Sequence, residues 1–129
     1  EAKALSDRAP SLVEQTQQVG AFRVVAEAIG SAGSADDVRT LALQVRDRLG
    51  STPAVVALAA TVGERVTIVV ATNDAARADG AKAGSLAKGA AAILGGGGGG
   101  RDDVAQGGGT NVAVVPAALA SVVEALRSA

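Results

Sequence analysis

The stretch ILGGGGGGRDDVAQGGGT, residues 93–110, decides how the whole chain is interpreted. It contains six consecutive glycines, an Arg-Asp-Asp-Val-Ala-Gln segment and three more glycines. Such a run is either a flexible linker or a backbone surface kept free of side chains so that another molecule can approach it. A linker should join two units that fold by themselves, yet only about one helix follows these glycines, too little for a domain. We therefore expect the glycines to be part of a single fold.

The composition indicates one α/β domain. The chain has 129 residues, of which 48% are hydrophobic, and this is enough apolar content to bury a core. Nearly all of these residues are Ala, Val, Leu and Ile, and Phe22 is the only aromatic residue. A core of small branched side chains favours a sheet packed against helices, and we expect Phe22 to be buried in it.

Hydrophobic periodicity predicts alternating strands and helices in the first part of the chain. An amphipathic helix is predicted from the apolar residues between Val38 and Leu49, capped by Ser34 and stopped at Gly50, with Arg39 and Arg46 off its apolar stripe. Asp36 and Asp37 are read as first-turn acids of this helix rather than as a catalytic pair. Strands are predicted at residues 19–29, 54–60 and 66–72, the last two joined by a turn at 63–65.

A second helical pattern leads into the glycines. From Ala81 onward its apolar face is predicted to contain Leu86, Ala90, Ile93 and Leu94, with Gly89 beside them to permit close packing. A C-terminal helix is predicted to begin at Pro116, which is tolerated in a first helical turn. Its core residues are predicted to be Leu119, Val122, Val123 and Leu126.

The N-terminal residues have a weaker helical pattern. Leu5, Ala9, Leu12 and Val13 have helical spacing, and Pro10 is expected to interrupt the helix. Because the chain contains no Met and starts within this pattern, we interpret it as a fragment of a longer protein. Residues 1–18 are assigned to the end of an N-terminal helical part, and residues 19–129 to a globular domain with a mixed β-sheet.

The residue types that are absent restrict the chemistry. With neither His nor Cys, the chain cannot form a Ser-His-Asp triad, a cysteine nucleophile or an ordinary zinc site. We expect no catalytic residue, no metal site and no cofactor. Twelve basic and thirteen acidic residues give a formal charge of −1, which provides no whole-surface argument for binding nucleic acid or a membrane. No membrane span or signal peptide is visible, and the lack of cysteine fits a cytoplasmic location.

The glycine run does not match the common nucleotide-binding loops. A dinucleotide-binding fingerprint needs a preceding strand, and here a helix precedes the glycines. A phosphate-binding Walker loop needs Gly-Lys followed by Ser or Thr, whereas Gly100 is followed by Arg101 and Asp102. What remains is a bare backbone with a guanidinium at its end, suited to phosphate. The alternative is that Arg101 pairs with Asp102 or Asp103 to hold the loop in shape.

These residues carry a family resemblance. The motif consists of residues 83–88 (AGSLAK), 93–96 (ILGG), 98–101 (GGGR), Asp103, Ala105-Gln106 and 107–109 (GGG). Over roughly residues 19–127 the chain resembles the C-terminal, DHHA1-type domain of alanyl-tRNA synthetases, a type also appended to DHH-family phosphoesterases. Phosphoesterase domains typically have His after the triple glycine, so Arg101 favours the synthetase branch. The synthetase domains commonly have Lys at the position of Gly97, and Pro and Met where Asp102 and Val104 stand.

The resemblance implies a binding role without catalysis. The family's domain contacts the outer corner of tRNA(Ala), where the D and T loops meet, and assists the aminoacylation and editing domains of the same ligase. Base stacking is not expected here, because Phe22 is assigned to the core. The predicted RNA-binding residues are Lys82, Lys88, Gly98, Gly99, Gly100, Arg101, Asp103, Gln106, Gly108 and Gly109.

Two other functions remain open from the sequence. The domain could bind single-stranded nucleic acid as the companion domain of a DHH-type phosphoesterase, although Arg101 and Gln106 count against this function. Alternatively, the glycine surface could mediate self-association into a homo-oligomer. For Lys82 and Lys88 the simpler interpretation is an ordinary solvated surface.

Overall fold

The structure is a computed structural model that describes residues 7–127. Five α-helices and six β-strands lie within this range. The helices are α1 (Ala9–Glu14), α2 (Ala35–Arg48), α3 (Asp74–Ala78), α4 (Ala83–Ile93) and α5 (Val115–Arg127). The strands are β1 (Gln17–Val19), β2 (Phe22–Ser31), β3 (Ala54–Val62), β4 (Arg65–Thr72), β5 (Gly98–Gly100) and β6 (Val104–Gly109). A single 3₁₀ turn, Val112–Val114, precedes α5.

The six strands form one mixed sheet in the order β1-β2-β3-β4-β6-β5. β2 and β3 are parallel, because α2 crosses over between them, and every other neighbouring pair is antiparallel. The predicted hairpin at residues 54–72 is confirmed. Val62 pairs with Arg65, so Arg65 begins β4 and the turn consists only of Gly63 and Glu64.

Helices cover both faces of the sheet, which confirms the predicted mixed α/β fold. On one face, α1 and α2 pack through residues such as Leu12 and Leu41 against Val25 and Val56. On the other face, α4 and α5 pack through Ala87 and Leu126 against a cluster that includes Phe22, which is 2% exposed as expected for a core aromatic. The chain thus has two thin cores of small apolar side chains, one on each side of the sheet.

The helix predicted between Val38 and Leu49 is confirmed in detail. The backbone N–H of Asp37 donates to Oγ of Ser34 at 3.2 Å, so Ser34 caps α2. Asp36 and Asp37 lie in the first turn, where they complement the helix dipole. Gly50, just beyond the end of α2, has a φ of 78°, which a glycine adopts without a steric penalty.

The strand predicted at residues 19–29 is interrupted. Val19 belongs to β1 and pairs with Phe22 of β2 across a tight turn at Gly20, whose φ is 58°. Glycine at this position of a two-residue hairpin turn matches the twist of the flanking strands. The single predicted strand is therefore a hairpin followed by a longer strand that continues to Ser31.

The buried face of α4 agrees with the prediction at Leu86, Ala90 and Leu94 and differs from it at Ile93. The buried residues of α4 are four alanines, Ala83, Ala87, Ala90 and Ala91, and Leu94, which directly follows the helix, is buried as well. Ile93, by contrast, is 38% exposed. Gly89 is also exposed, and a β-carbon there would meet nothing within 4 Å, so its predicted packing role is wrong. The close approach occurs instead at Gly84, where a β-carbon would lie 2.9 Å from the carbonyl oxygen of Gly100.

The N-terminal segment packs onto the domain. Pro10 lies in the first turn of α1 and starts this helix rather than interrupting it. Leu5 lies outside the described residues. The boundary predicted after residue 18 falls within β1, which is the outermost strand beside β2. Among residues 7–127, no helix is both long and apolar enough to cross a membrane.

Candidate nucleic-acid interface

The glycine-rich stretch forms a β-hairpin at the edge of the sheet. Gly98–Gly100 make up β5, which pairs only with β6, and β6 pairs with β4 on its other side. The backbone N–H of Arg101 donates to the carbonyl of Val104 at 3.2 Å and closes the turn between the two strands. The stretch is therefore not a linker, since its main chain is built into the sheet.

The end of α4 explains the first glycines of the run. Gly95 has a φ of 85°, and its N–H donates to the carbonyl of Ala92 at 3.2 Å. The N–H of Gly96 reaches back to the carbonyl of Ala91 at 3.0 Å, which completes a Schellman motif. A β-carbon on Gly96 would overlap the carbonyl of Gly108. These two glycines end the helix and turn the chain into β5.

The second glycine cluster is required by packing. A β-carbon on Gly107 would lie 2.7 Å from the β-carbon of Ala91, and one on Gly108 would lie 2.5 Å from the carbonyl oxygen of Val66. A β-carbon on Gly109 would overlap the carbonyl of Leu94. Gly107 and Gly109 therefore let α4 lie close against the sheet, and Gly108 lies against the main chain of β4. Gly108 and Gly109, predicted to bind RNA, have a structural reason to be glycine.

The turn between β5 and β6 is anchored to the end of β4. Oγ1 of the buried Thr72 donates to the carbonyl of Asp102 at 2.6 Å, and the Thr72 N–H donates to the carbonyl of Asp103 at 2.9 Å. The N–H of Ala83 also donates to the Asp102 carbonyl, at 3.0 Å. The two aspartates thus contribute their main chains to the turn, and this fixes the position of Arg101 beside them.

A shallow groove of about 180 Å³ lies on the α2 side of this hairpin. Its lining combines glycine backbone with two arginines from distant parts of the sequence and contains no carboxylate. The lining residues are Arg39, Gly99, Gly100, Arg101, Val104, Ala105 and Gln106. Within residues 7–127, the guanidinium groups of Arg39 and Arg101 make neither an ion pair nor a hydrogen bond. The alternative pairing of Arg101 with Asp102 or Asp103 is therefore absent from this structure.

Strand alternation explains why Gln106 faces the groove. Val104 contributes to the core beneath α2, and Ala105 contributes to the core beneath α4. Because successive side chains of a strand point to opposite faces, Gln106 lies on the α2 side, where it is exposed. It pairs with Gly99, at which a β-carbon would point into open space. A side chain at position 99 would accordingly occupy the groove.

The predicted site residues divide between two faces of the sheet. Gly99, Gly100, Arg101 and Gln106 line the groove on the α2 side. Lys82 caps the N-terminus of α4 without a side-chain capping bond, and Lys88 is exposed on the same helix, which covers the opposite face. The thin edge formed by β5 separates the two sets of cations.

Four further predicted residues lie outside the groove lining, and one of them is Gly109, which packs against Leu94 at the end of β6. Asp103 is partly buried in the turn that precedes β6. Gly98 faces α4, since a β-carbon there would lie 3.2 Å from that of Ala91. Gly108 lies further along β6, where it pairs with Thr67 of β4.

Arg39 is the lining residue that the sequence interpretation missed. Its position off the apolar stripe of α2 indicated only that it is exposed. Nothing in the spacing of residues 35–48 indicates that the first turns of this helix lie beside a hairpin more than fifty residues later in the chain. The signal that brings Arg39 to the site is tertiary, through the packing of α2 across β3, β4 and β6.

A larger depression of about 590 Å³ lies between the end of α2 and the start of α3. Its polar groups are occupied by the protein itself. The Asn73 side chain accepts hydrogen bonds from the N–H groups of Ala54 and Ala76 at 3.0 and 2.9 Å, and it donates to the carbonyl of Thr52 at 2.6 Å. Arg46 pairs with Asp47 at 3.0 Å. The polar side chains of this depression are therefore paired with other groups of the protein. The guanidinium groups of Arg39 and Arg101, in contrast, have no partner among the described residues.

No cluster of three or more potential metal-ligating side chains occurs among residues 7–127. The groove therefore offers two guanidinium groups, one amide and glycine backbone. This set of donors suits an oxyanion such as a phosphodiester, because an arginine presents its N–H groups in a fixed planar fork.

Known proteins with similar sequences are alanine–tRNA ligases. The ligase of Leifsonia xyli subsp. xyli is 56% identical over 126 residues, which is 98% of this chain and 14% of that ligase. That of Clavibacter sepedonicus is also 56% identical, over 99% of this chain and 14% of its own length. The chain thus spans about one seventh of the length of these relatives.

A solved structure with the same fold is the C-Ala domain of alanyl-tRNA synthetase from Aquifex aeolicus. It is 28% identical with a TM-score of 0.77, and the match covers 87% of this chain and 97% of that one. These similarities confirm the resemblance to the synthetase domain. The DHHA1 domain profile matches residues 21–128, and the chain belongs to the DHHA1 domain family.

Proposed function

We propose that this chain is the tRNA-binding accessory domain of an alanine–tRNA ligase. In this function it contacts the outer corner of tRNA(Ala), where the D and T loops meet, and assists aminoacylation and editing by other domains of the same protein. The proposal places the protein in the cytoplasm, where tRNA is charged. The observation that carries it is the groove at the glycine hairpin, where Arg101 and Gln106 stand beside a bare backbone and Arg101 has no partner in the described structure.

The chemistry of the surface favours the backbone of a folded RNA over unpaired bases. Single-stranded RNA is usually held by bases stacked on aromatic side chains, and the only aromatic residue, Phe22, is buried in the core. Arginine and exposed glycine backbone instead suit the sugar-phosphate surface of a structured RNA. Because the formal charge of the chain is −1, binding must depend on this local patch rather than on a general attraction.

The cations on the two faces of the sheet can serve the same RNA. Gly98, Gly99 and Gly100 carry no side chains, so the edge formed by β5 is only as thick as the backbone. An RNA strand passing along this edge can approach Arg101 on one side and Lys82 and Lys88 on the other. If each cation neutralises one phosphate, the slope of log Kd against log salt concentration should have a magnitude of about 2 to 3, at roughly 0.7–0.9 per phosphate.

A binding titration tests this function directly. The purified domain is titrated into labelled tRNA(Ala), another tRNA and single-stranded DNA of equal length over a range of salt concentrations. We expect folded tRNA to bind more tightly than single-stranded DNA, with the modest salt slope given above. Preference for the single strand would support instead the function of a domain beside a phosphoesterase, and absence of tRNA binding with self-association would support an oligomerisation module.

Arg101 provides the variant for this assay. Arg101→Ala should retain the melting temperature of the wild type, because the side chain has no intramolecular partner among residues 7–127. It should weaken tRNA binding by about 1–3 kcal/mol if the guanidinium contacts a phosphate or a base edge. An unchanged affinity with a lower melting temperature would assign Arg101 to the architecture of the loop.

A further inference from the structure

The groove contains a second arginine that the family motif does not include. Arg39 lies in the second turn of α2, and Arg101 follows β5, so the two residues are 62 positions apart in the sequence and meet only in the folded chain. We infer that Arg39 and Arg101 together bind one phosphodiester group of the RNA. This inference rests on the proposed function and specifies which of the two faces of the sheet holds the backbone.

The electrostatic arrangement supports this role. Both arginines are exposed, so their mutual repulsion is weak in water, but the pair leaves the groove with positive charge and no carboxylate to balance it. The groove lining contains no Asp or Glu, and neither arginine is paired within residues 7–127. Other arginines of the same chain do have partners: Arg46 pairs with Asp47, Arg77 with Asp74, and Arg127 with Glu124. An external anion would supply the charge that is missing between Arg39 and Arg101.

The size of the groove fits a single anionic group. Its volume of about 180 Å³ is large enough for a phosphodiester group. Gly99 lies opposite Gln106 in the groove lining, and its lack of a side chain leaves this part of the groove open. Gln106 at the rim adds an amide that can donate to a phosphate oxygen. Because the lining offers two guanidinium groups and an amide, and no aromatic side chain on which a base could stack, the groove suits a phosphodiester unit better than a nucleobase.

The test compares Arg39→Gln with Arg48→Gln. Both residues are exposed on α2, and both substitutions remove one charge, but Arg48 lies outside the groove lining. In titrations with labelled tRNA(Ala), Arg39→Gln should weaken binding about five- to ten-fold but lower the magnitude of the salt slope by clearly less than about 0.7–0.9, because Arg101 still neutralises the shared phosphate. Arg48→Gln should change the affinity less than two-fold. Both variants should melt at the wild-type temperature.

The double variant Arg39→Gln, Arg101→Gln tests whether one phosphate is shared. If both arginines hold the same group, the salt slope should fall by about 0.9 in total, as for loss of a single phosphate contact. A fall of about twice that size would mean two separate phosphates and would overturn the inference. Equal effects of Arg39→Gln and Arg48→Gln would also overturn it and leave the proposed function intact. Failure of the wild-type domain to bind tRNA at all would overturn the proposed function and this inference with it.

Discussion

The main chain of Gly109 lies directly against the carbonyl oxygen of Leu94, closer than any side-chain carbon at position 109 would permit. The same oxygen accepts hydrogen bonds from the N–H groups of Thr110 and Asn111, each at 3.2 Å. The end of α4 and the end of β6 are therefore joined through one carbonyl group. Gly109, which the sequence suggests as an RNA contact, is also required as glycine by packing at the base of the hairpin.

Gly109→Ala should destabilise the domain severely. The added carbon would overlap the Leu94 carbonyl, and both residues are buried, so neither main chain can move without disturbing the sheet or the helix. Overpacking of this kind costs on the order of 3 kcal/mol or more of the free energy of unfolding. Chemical denaturation of the purified variant measures this change, and wild-type stability would contradict the packing described here.

Gly89→Ala is the matched control for that substitution. Gly89 lies within α4, is exposed and has no atom within 4 Å of an added β-carbon. Alanine at an exposed position inside a helix is favoured over glycine by about 0.8–1.0 kcal/mol, so this variant should be more stable than the wild type. The two substitutions add the same methyl group and should change the free energy of unfolding in opposite directions.

Local signals in the sequence were sufficient for much of the fold. The Ser34 cap, the Gly50 stop and the hairpin at Gly63 depend on neighbouring residues, and each lies where it was predicted. The buried face of α4 was not predictable in the same way. This helix is packed on its alanines against glycine backbone, so Ile93, the larger side chain, is left at the surface. Hydrophobic periodicity gives most weight to large apolar residues. It therefore does not predict a buried face made of alanine, such as a helix needs when it packs closely against a sheet.

Thr72→Val should loosen the turn that carries Arg101. The Thr72 hydroxyl donates to the carbonyl of Asp102 at 2.6 Å and accepts from the guanidinium of Arg77 at 3.3 Å. Valine has nearly the same shape but no hydroxyl, so the Asp102 carbonyl and the Arg77 guanidinium would each lose a hydrogen-bond partner. This loss should lower the free energy of unfolding by about 1–3 kcal/mol. Thermal melting should show this loss, and the displaced turn should also weaken tRNA binding.

Thr67→Val provides the comparison on the same strand. Thr67 lies in β4, is only partly buried, and its side chain makes no hydrogen bond among residues 7–127. The same chemical change there should be close to neutral, since valine suits a strand as well as threonine does. If both variants lost equal stability, the hydrogen bond between Thr72 and Asp102 would not be the cause.

The candidate site was predictable only in the part that is contiguous in sequence. Arg101 and Gln106 could be selected because the glycine motif surrounds them. Arg39 could not, because its distance from the hairpin is set by how α2 crosses the sheet. The sequence also could not show that Lys82 and Lys88 lie on a different face of the sheet from Arg101. All three residues flank the same glycine stretch, and only the topology places α4 on the face opposite the groove.

Gly97 offers a way to strengthen binding without disturbing the fold. A β-carbon at this position would meet nothing within 4 Å, and its φ lies outside the left-handed region, so a side chain fits there. Gly97 directly precedes β5 and accepts a hydrogen bond from the N–H of Gly108, so continuing the alternation of β5 by one residue puts position 97 on the same face as Gly99. Related synthetase domains commonly carry a lysine here, as the resemblance implies. Gly97→Lys should then bind tRNA(Ala) roughly three- to ten-fold more tightly at low salt, with a salt slope steeper by about 0.7–0.9.

Gly97→Gln separates charge from bulk in this experiment. Glutamine adds a long polar side chain at the same open position without a cation, so its tRNA affinity should stay within two-fold of the wild type. Both variants should keep the wild-type melting temperature, because Gly97 contributes to the hairpin only through its carbonyl, which accepts from the N–H of Gly108 at 3.2 Å. If Gly97→Lys bound tRNA no better than Gly97→Gln, the RNA backbone would not pass over this side of the hairpin. The binding surface would then have to lie on the α4 face, with Lys82 and Lys88 as its cations.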